Sequence, residues 1–218
     1  MVGVCRGAVA MLGLCVSLAC AVAAQGAGEP EYGCKRVHRG DAEVNPNRHG
    51  LPPLAIGDST MILPIPNLDQ AGFSVNARGC RGFKESVELA RKLRRKHRLP
   101  HLVLIAAYSN GGVNPDLISK ALDALGRSRV LVLVTEYNAD TGHPPAPDTD
   151  VLFKARRQYP HRVELLDWVH HSRSHHAAEP KAGAWFLPDL YHPNYTGAAA
   201  YAQFLSRALP LARNGRFP

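Results

Sequence analysis

Three short stretches of the 218-residue chain carry residue types that could together perform acyl transfer. Gly57-Asp58-Ser59-Thr60 offers a hydroxyl, Tyr108-Ser109-Asn110-Gly111 a side-chain amide, and Asp189-Leu190-Tyr191-His192 a carboxylate three residues before an imidazole. A serine hydroxyl is a poor nucleophile until a neighbouring base takes its proton. An imidazole whose other ring nitrogen is held by a carboxylate is such a base, and a spacing of three lets both groups share one turn. An Asn amide N–H can meet the negative charge that develops on a carbonyl oxygen under attack. Each stretch alone is ordinary: Gly-Asp-Ser also makes turns and helix caps, Ser-Asn-Gly is a common loop, and Asp-x-x-His can be half of a metal site. Their joint order is what points to chemistry.

The surrounding pattern says how the three are positioned. Apolar runs at 54–56, 73–77, 101–106, 130–135 and 163–166 predict five strands, several apolar throughout, as strands covered on both faces are. Between them the spacing predicts helices over 84–96, from Asn114-Pro115 to 125 with Asn as cap and Pro at the first position, and over 150–159; a last helix spans 195–209. Strand and helix alternate, which means a parallel sheet covered by helices on both faces. In such sheets ligands bind beyond the carboxyl ends of the strands. The 54–56 and 101–106 strands end at Gly57-Asp58-Ser59 and Tyr108-Ser109-Asn110, and Asp189 to His192 directly precede the last helix. Residues 170–184 are polar and irregular and read as a surface loop.

With these residues in this order, the chain resembles the SGNH (GDSL-like) hydrolase family over 54–209. The resemblance implies a three-layer α/β/α fold of the flavodoxin-like kind with a central, mostly parallel, five-stranded sheet. It implies Ser59 as nucleophile, His192 as base and Asp189 as its orienting carboxylate. The oxyanion hole would be built from the backbone N–H of Ser59 and Gly79 and the side chain of Asn110. Tyr108 stands where the family has glycine, which is expected to narrow the pocket or alter how the loop presents Asn110; Thr60 stands where Leu or Val is common. Asp58, Thr60, Tyr108, Arg78 and Arg81 are candidates to stand near substrate, the two arginines equally as structural groups. The Arg-x-Cys-Arg and Ser-Asn-Gly-Gly stretches look like the bacterial branch related to peptidoglycan O-acetyltransferase domains. The implied reaction is hydrolysis of small acyl or carbohydrate esters through an acyl-serine, needing no metal or cofactor. Two alternatives are an O-acetyltransferase using the same intermediate on a cell-wall glycan, and a binding module with an inert serine. The GxSxG elbow of α/β-hydrolases is absent around Ser59.

The remainder of the chain bears on where it works. Arg6 followed by the uncharged 7–24 and Ala21-Val22-Ala23-Ala24 reads as a signal peptide over 1–27, removed on export. The competing reading is an uncleaved anchor, since the stretch approaches the ~18 residues needed to span a bilayer. Residues 28–50 then form an arm and 51–218 the catalytic domain. Cys34 and Cys80 remain after cleavage and are expected to pair in an oxidising compartment, secreted or in a bacterial envelope, the alternative being two buried thiols. The net charge of +8 suits an anionic partner such as a cell-wall polymer. No nucleic-acid signature accompanies it, and much of it lies on one helix, 91–98, as a solvated face. His170, His171, His175 and His176 could be metal ligands, but their spacing in a polar loop favours none. The length suits one domain and a monomer.

Overall fold

A computed structural model describes residues 32–47 and 50–214. The expected signal peptide lies outside the described residues, as do the first residues of the arm. The sheet has six strands, not the five expected: β1 (Val37–Gly40), β2 (Leu54–Gly57), β3 (Ser74–Arg78), β4 (Leu102–Ala106), β5 (Val130–Val134) and β6 (Val163–Leu166), ordered β1-β3-β2-β4-β5-β6. The added strand, β1, lies in the arm and pairs antiparallel with β3, while every other pairing is parallel. Val-His-Arg-Gly gives it only one aliphatic residue, because an edge strand with a wet side needs no continuous apolar run.

The buried strands divide their side chains between two cores. Ala55, Leu102, Leu104, Ala106, Val132 and Val134 face one side, beneath α1 (Ile65–Ala71), α5 (Trp168–Ser172), α6 (Tyr195–Leu205) and α7 (Leu209–Asn214). Ile56, Val103, Ile105, Leu131 and Leu133 face the other, beneath α2 (Phe83–Arg95), α3 (Pro115–Leu125) and α4 (Thr149–Gln158). This is the three-layer α/β/α arrangement. In α2, Phe83, Val87 and Ala90 are buried while Lys92, Arg94 and Arg95 crowd the last turn, where cations complement the helix dipole. Asn114 caps α3 by accepting the Leu117 N–H at 2.9 Å, with Pro115 at the first position.

Two stretches differ from expectation. The single helix expected over 195–209 stops at Leu205, and a 3-10 turn (Ser206–Ala208) leads into α7, where Pro210 occupies a first-turn position that needs no N–H. The expected loop over 170–184 begins instead as α5 and a 3-10 turn (Arg173–His175). Its imidazoles lie on aromatic rings: His171 on Phe204 at 4.4 Å, His175 on Trp185 at 3.9 Å and His176 on Tyr137 at 4.0 Å between centroids. Trp168 and Trp185 stack at 5.7 Å in the same cluster.

The order in which strands are added reverses at β2. The path runs from β2 to β3 on one side and then to β4 on the other, so the crevice between the ends of β2 and β4 is the switch point where such sheets bind ligands.

Candidate active site

At the end of β2 the chain turns sharply into a 3-10 turn, Ser59–Met61. Gly57 is required there, because a Cβ would lie 2.5 Å from the Met61 side chain. Asp58 caps the turn: one carboxylate oxygen accepts the Thr60 N–H at 2.9 Å and the Thr60 hydroxyl at 2.7 Å. Its other oxygen accepts the Tyr191 hydroxyl at 2.6 Å, the Asn110 amide at 2.7 Å and, more weakly, the Ser109 hydroxyl at 3.4 Å. Asp58 is fully buried, and these five donors satisfy a charge that would otherwise be costly there. The carboxylate thus fastens all three sequence stretches at one point.

The last of them forms a compact turn before α6. Asp189 accepts the N–H groups of Tyr191 and His192 on Oδ1, both at 2.9 Å, and faces His192 Nδ1 through Oδ2 at 2.6 Å. Burial pushes its carboxyl up, but the hydrogen bonds from His192 and the two backbone groups outweigh this and hold it down at about 2. Asn194 then caps α6 by accepting the Gly197 N–H at 2.8 Å. His192 Nε2, the ring nitrogen not facing Asp189, is buried with no hydrogen-bond partner among the described residues. Since Tyr191 is bonded to Asp58, the residues immediately preceding His192 and Ser59 are joined, while Ser59 and His192 make no hydrogen bond to each other among the described residues. Ser59 itself is 7% exposed.

Of the expected oxyanion donors, Asn110 is fastened to Asp58. It gives one amide hydrogen to that carboxylate and, as an amide, has a second to offer. Gly79 directly follows β3, whose Ala77 pairs with Gly57, the last residue of β2. A Cβ on Gly79 would meet the Tyr32 carbonyl oxygen at 1.8 Å, because the arm crosses here. The Cys34–Cys80 disulfide ties that crossing down, with Cα atoms 5.0 Å apart. Beside it the Tyr32 ring lies against His192, centroids 4.4 Å apart.

Other named residues have structural partners. Tyr108 is buried and points into the α3–α4 side of the sheet, where its hydroxyl bonds Thr149 at 2.7 Å and accepts the Glu136 N–H at 3.1 Å. Arg81 is buried and donates to the carbonyls of Gly57, at 3.0 Å, and Asn76, and to the Asn76 side chain at 2.7 Å. Burial, with Arg78 nearby, pulls its guanidinium down to about 10. Arg78 pairs with Glu85 at 2.5 Å. Two participants had no motif to announce them. Tyr191 is legible only as the residue between the quoted Asp and His, and Glu136, at the end of β5, carries no signal in its sequence neighbourhood.

The layered, mostly parallel sheet with Asp58-Ser59 and Asp189–His192 at its carboxyl end has the SGNH hydrolase fold. Among solved structures it is similar to the C-terminal catalytic domain of Streptococcus pneumoniae peptidoglycan O-acetyltransferase A, determined with a methylsulfonyl adduct: 23% identity, TM-score 0.56, covering 80% of this chain and 96% of that one. It is also similar to a lipase/acylhydrolase from Enterococcus faecalis (14%, 0.54, 76% and 97%) and to a putative acylhydrolase from Bacteroides fragilis (16%, 0.50, 72% and 85%). No protein-family model and no curated protein sequence matches the chain.

Proposed function

We propose that the protein is an exported serine ester hydrolase that cleaves small acyl or carbohydrate esters through an acyl-serine. The observation that carries this is the Asp58 carboxylate gathering the Ser59 turn, Asn110 and the Tyr191-His192 turn into one constellation, with His192 held by Asp189 at 2.6 Å. Ser59 Oγ attacks the ester carbonyl carbon as its proton passes to His192 Nε2. The resulting oxyanion accepts hydrogen bonds from the backbone N–H of Ser59 and Gly79 and from Asn110. Its collapse expels the alcohol, which takes the proton from His192. Water then attacks the acyl-serine, gives a proton to His192 and releases the acid, and the proton returns to Ser59. Asp189 stays ionised throughout and stabilises the imidazolium. A cavity of about 10 Å³ lined by Thr60, Tyr191 and Tyr201 adjoins the site, with room for about one water.

Export is supported by the disulfide, since such bridges persist in oxidising compartments. Among the described residues no helix is long and apolar enough to cross a membrane. For a partner we propose an anionic envelope polymer. A groove of about 380 Å³ at the opposite end of the sheet is rimmed by Arg39, Lys92, Lys96 and Arg98 over Leu54, Leu89 and Leu93.

The test is hydrolysis of p-nitrophenyl acetate and butyrate by the wild type and Ser59→Ala. Activity that favours acetate and disappears in the variant supports the reading; equal activity in both, or none in either, overturns it. Added glycan acceptors that divert the acetyl group from water would establish the transferase instead.

A further inference from the structure

Glu136 is a buried carboxylic acid, 3% exposed, that the mechanism above does not use. It follows β5, and its Oε2 accepts two consecutive backbone N–H groups, those of Tyr108 and Ser109, each at 2.9 Å. These amides lie just beyond β4, where the strand ladder no longer supplies acceptors. The grip is reciprocal, since the Glu136 N–H donates to the Tyr108 hydroxyl at 3.1 Å. The next residue along the turn is Asn110. We infer that Glu136 is a positioning residue of the oxyanion site, whose side-chain oxygen fixes the Tyr108–Ser109 turn so that Asn110 presents its amide to the substrate. The inference rests on the ester-hydrolase reading of the same site.

The surroundings decide which form of the carboxyl does this. Its Oε1 is buried without a hydrogen-bond partner among the described residues. Among the described residues the ionisable groups around it are Asp58 beyond β2, Tyr108 beyond β4, Tyr137 beside it, Tyr191 before α6 and Tyr201 on α6, none of them a cation. Burial first and the Asp58 charge second push Glu136 well above the usual carboxylate range. Asp58 accepts from five donors and Glu136 from two, so these surroundings favour the neutral form of Glu136. Because Oε2 takes both N–H groups, a proton on this carboxyl belongs on Oε1. A glutamine would reproduce this arrangement, its carbonyl oxygen in place of Oε2 and its NH2 in place of the hydroxyl. Ionisation of Glu136 would set a second anion beside Asp58 and disturb the carboxylate on which Asn110 rests.

The experiment compares Glu136→Gln, Glu136→Ala and Asn110→Ala, singly and as Glu136→Ala/Asn110→Ala, on p-nitrophenyl acetate. Glu136→Gln should keep kcat within about threefold and hold its activity to higher pH than the wild type. Glu136→Ala should lose about 10–100-fold in kcat with KM nearly unchanged, as expected when a donor used in the transition state is misplaced. In the Asn110→Ala background the Glu136→Ala loss should vanish, since both changes remove one function. Additive losses, a loss in KM alone, or a Glu136→Gln variant as impaired as Glu136→Ala would overturn the proposal. Amide NMR spectra read the turn without turnover: the Asn110 side-chain resonances should move in Glu136→Ala and stay in Glu136→Gln. Unmoved resonances in Glu136→Ala would overturn the positioning role even in a protein that hydrolyses no ester, and hydrolysis absent with the resonances moved would count against the esterase reading alone. Should Glu136→Ala fail to fold, the pH profile of Glu136→Gln still decides, and a profile identical to the wild type overturns the role assigned to the neutral acid.

Discussion

Asp189 is about half exposed, yet its carboxyl is held at about 2, below its ordinary 3.8. The sign of that shift fixes what pH can do to it: the pairing stabilises the fold above about pH 4 and is lost only as pH falls through about 2. Asp189→Asn is therefore expected to lower kcat by about 10³–10⁴ uniformly from pH 5 to 9, since the amide disturbs the imidazole tautomer instead of removing a titration. A loss confined to acidic pH would contradict this. Asn110→Ala is expected to cost about 10²–10³ in kcat with little change in KM, measured on p-nitrophenyl acetate. The Asp58-Ser59, Asn110 and Asp189-x-x-His192 stretches were legible in the sequence because their chemistry is compressed into a few adjacent residues. Tyr108 and Glu136 were not. Expecting Tyr108 to affect the pocket assumed its side chain points at the site; the turn beyond β4, breaking the strand's alternation, sends it to the face that Val103 and Ile105 share instead of that of Leu104 and Ala106. Glu136 acts on β4 from β5, 28 residues away, and no local spacing records such a contact.

Among the elements, buried strands were readable and the edge was not. β4 and β5 are apolar throughout because both faces are covered, whereas β1 has one partner strand and a wet side, so its sequence resembles an arm. Helix α1, inside the first crossover, was also missed: Ile65-Pro66-Asn67-Leu68 begins with proline and buries only Leu68 along its length. This helix joins β1 through an acidic cluster. Burial first, then Asp41 and Glu43, raise the Asp69 carboxyl from its ordinary 3.8 to about 6. A raised acid favours the fold at low pH, and the advantage is fully present below about pH 4 and lost as pH rises through about 6. Asp69→Asn should accordingly raise Tm by about 2–4 °C at pH 8 and leave it unchanged near pH 4, by thermal unfolding. An equal shift at both values would mean that charge is not the cause. The disulfide ties the arm to the end of β3, and Cys34→Ser/Cys80→Ser should cost about 2–4 kcal/mol of stability in denaturant unfolding. A variant as stable as the wild type would show that the arm adds nothing to the fold.

At the scale of the molecule, chemistry and charge occupy opposite ends of the sheet. The serine and its base lie beyond the carboxyl ends of the strands. The groove of Arg39, Lys92, Lys96 and Arg98 borders Leu54 and Ser74, the first residues of β2 and β3, and Pro100, just before β4. Binding there would leave the Ser59 end open, so under the proposed function an anionic chain would hold the protein on a surface without covering the site. The positive balance was plain from composition, but its concentration around one apolar-floored groove depends on β1 and α2 meeting across the sheet edge. Polyphosphate binding, followed by fluorescence anisotropy, should weaken steeply with salt. Lys92→Glu/Lys96→Glu/Arg98→Glu should abolish it without changing p-nitrophenyl acetate hydrolysis. Binding that survives those changes would move the polyanion elsewhere on the surface.

The account stands on Ser59 being a nucleophile activated by His192. The most direct measurement is intact-mass and peptide mapping after exposure to a sulfonyl fluoride, for wild type, Ser59→Ala and His192→Ala. One sulfonyl group per chain is predicted on Ser59, absent in Ser59→Ala and formed far more slowly in His192→Ala. No adduct, an adduct on another residue, or a rate indifferent to His192 would contradict it.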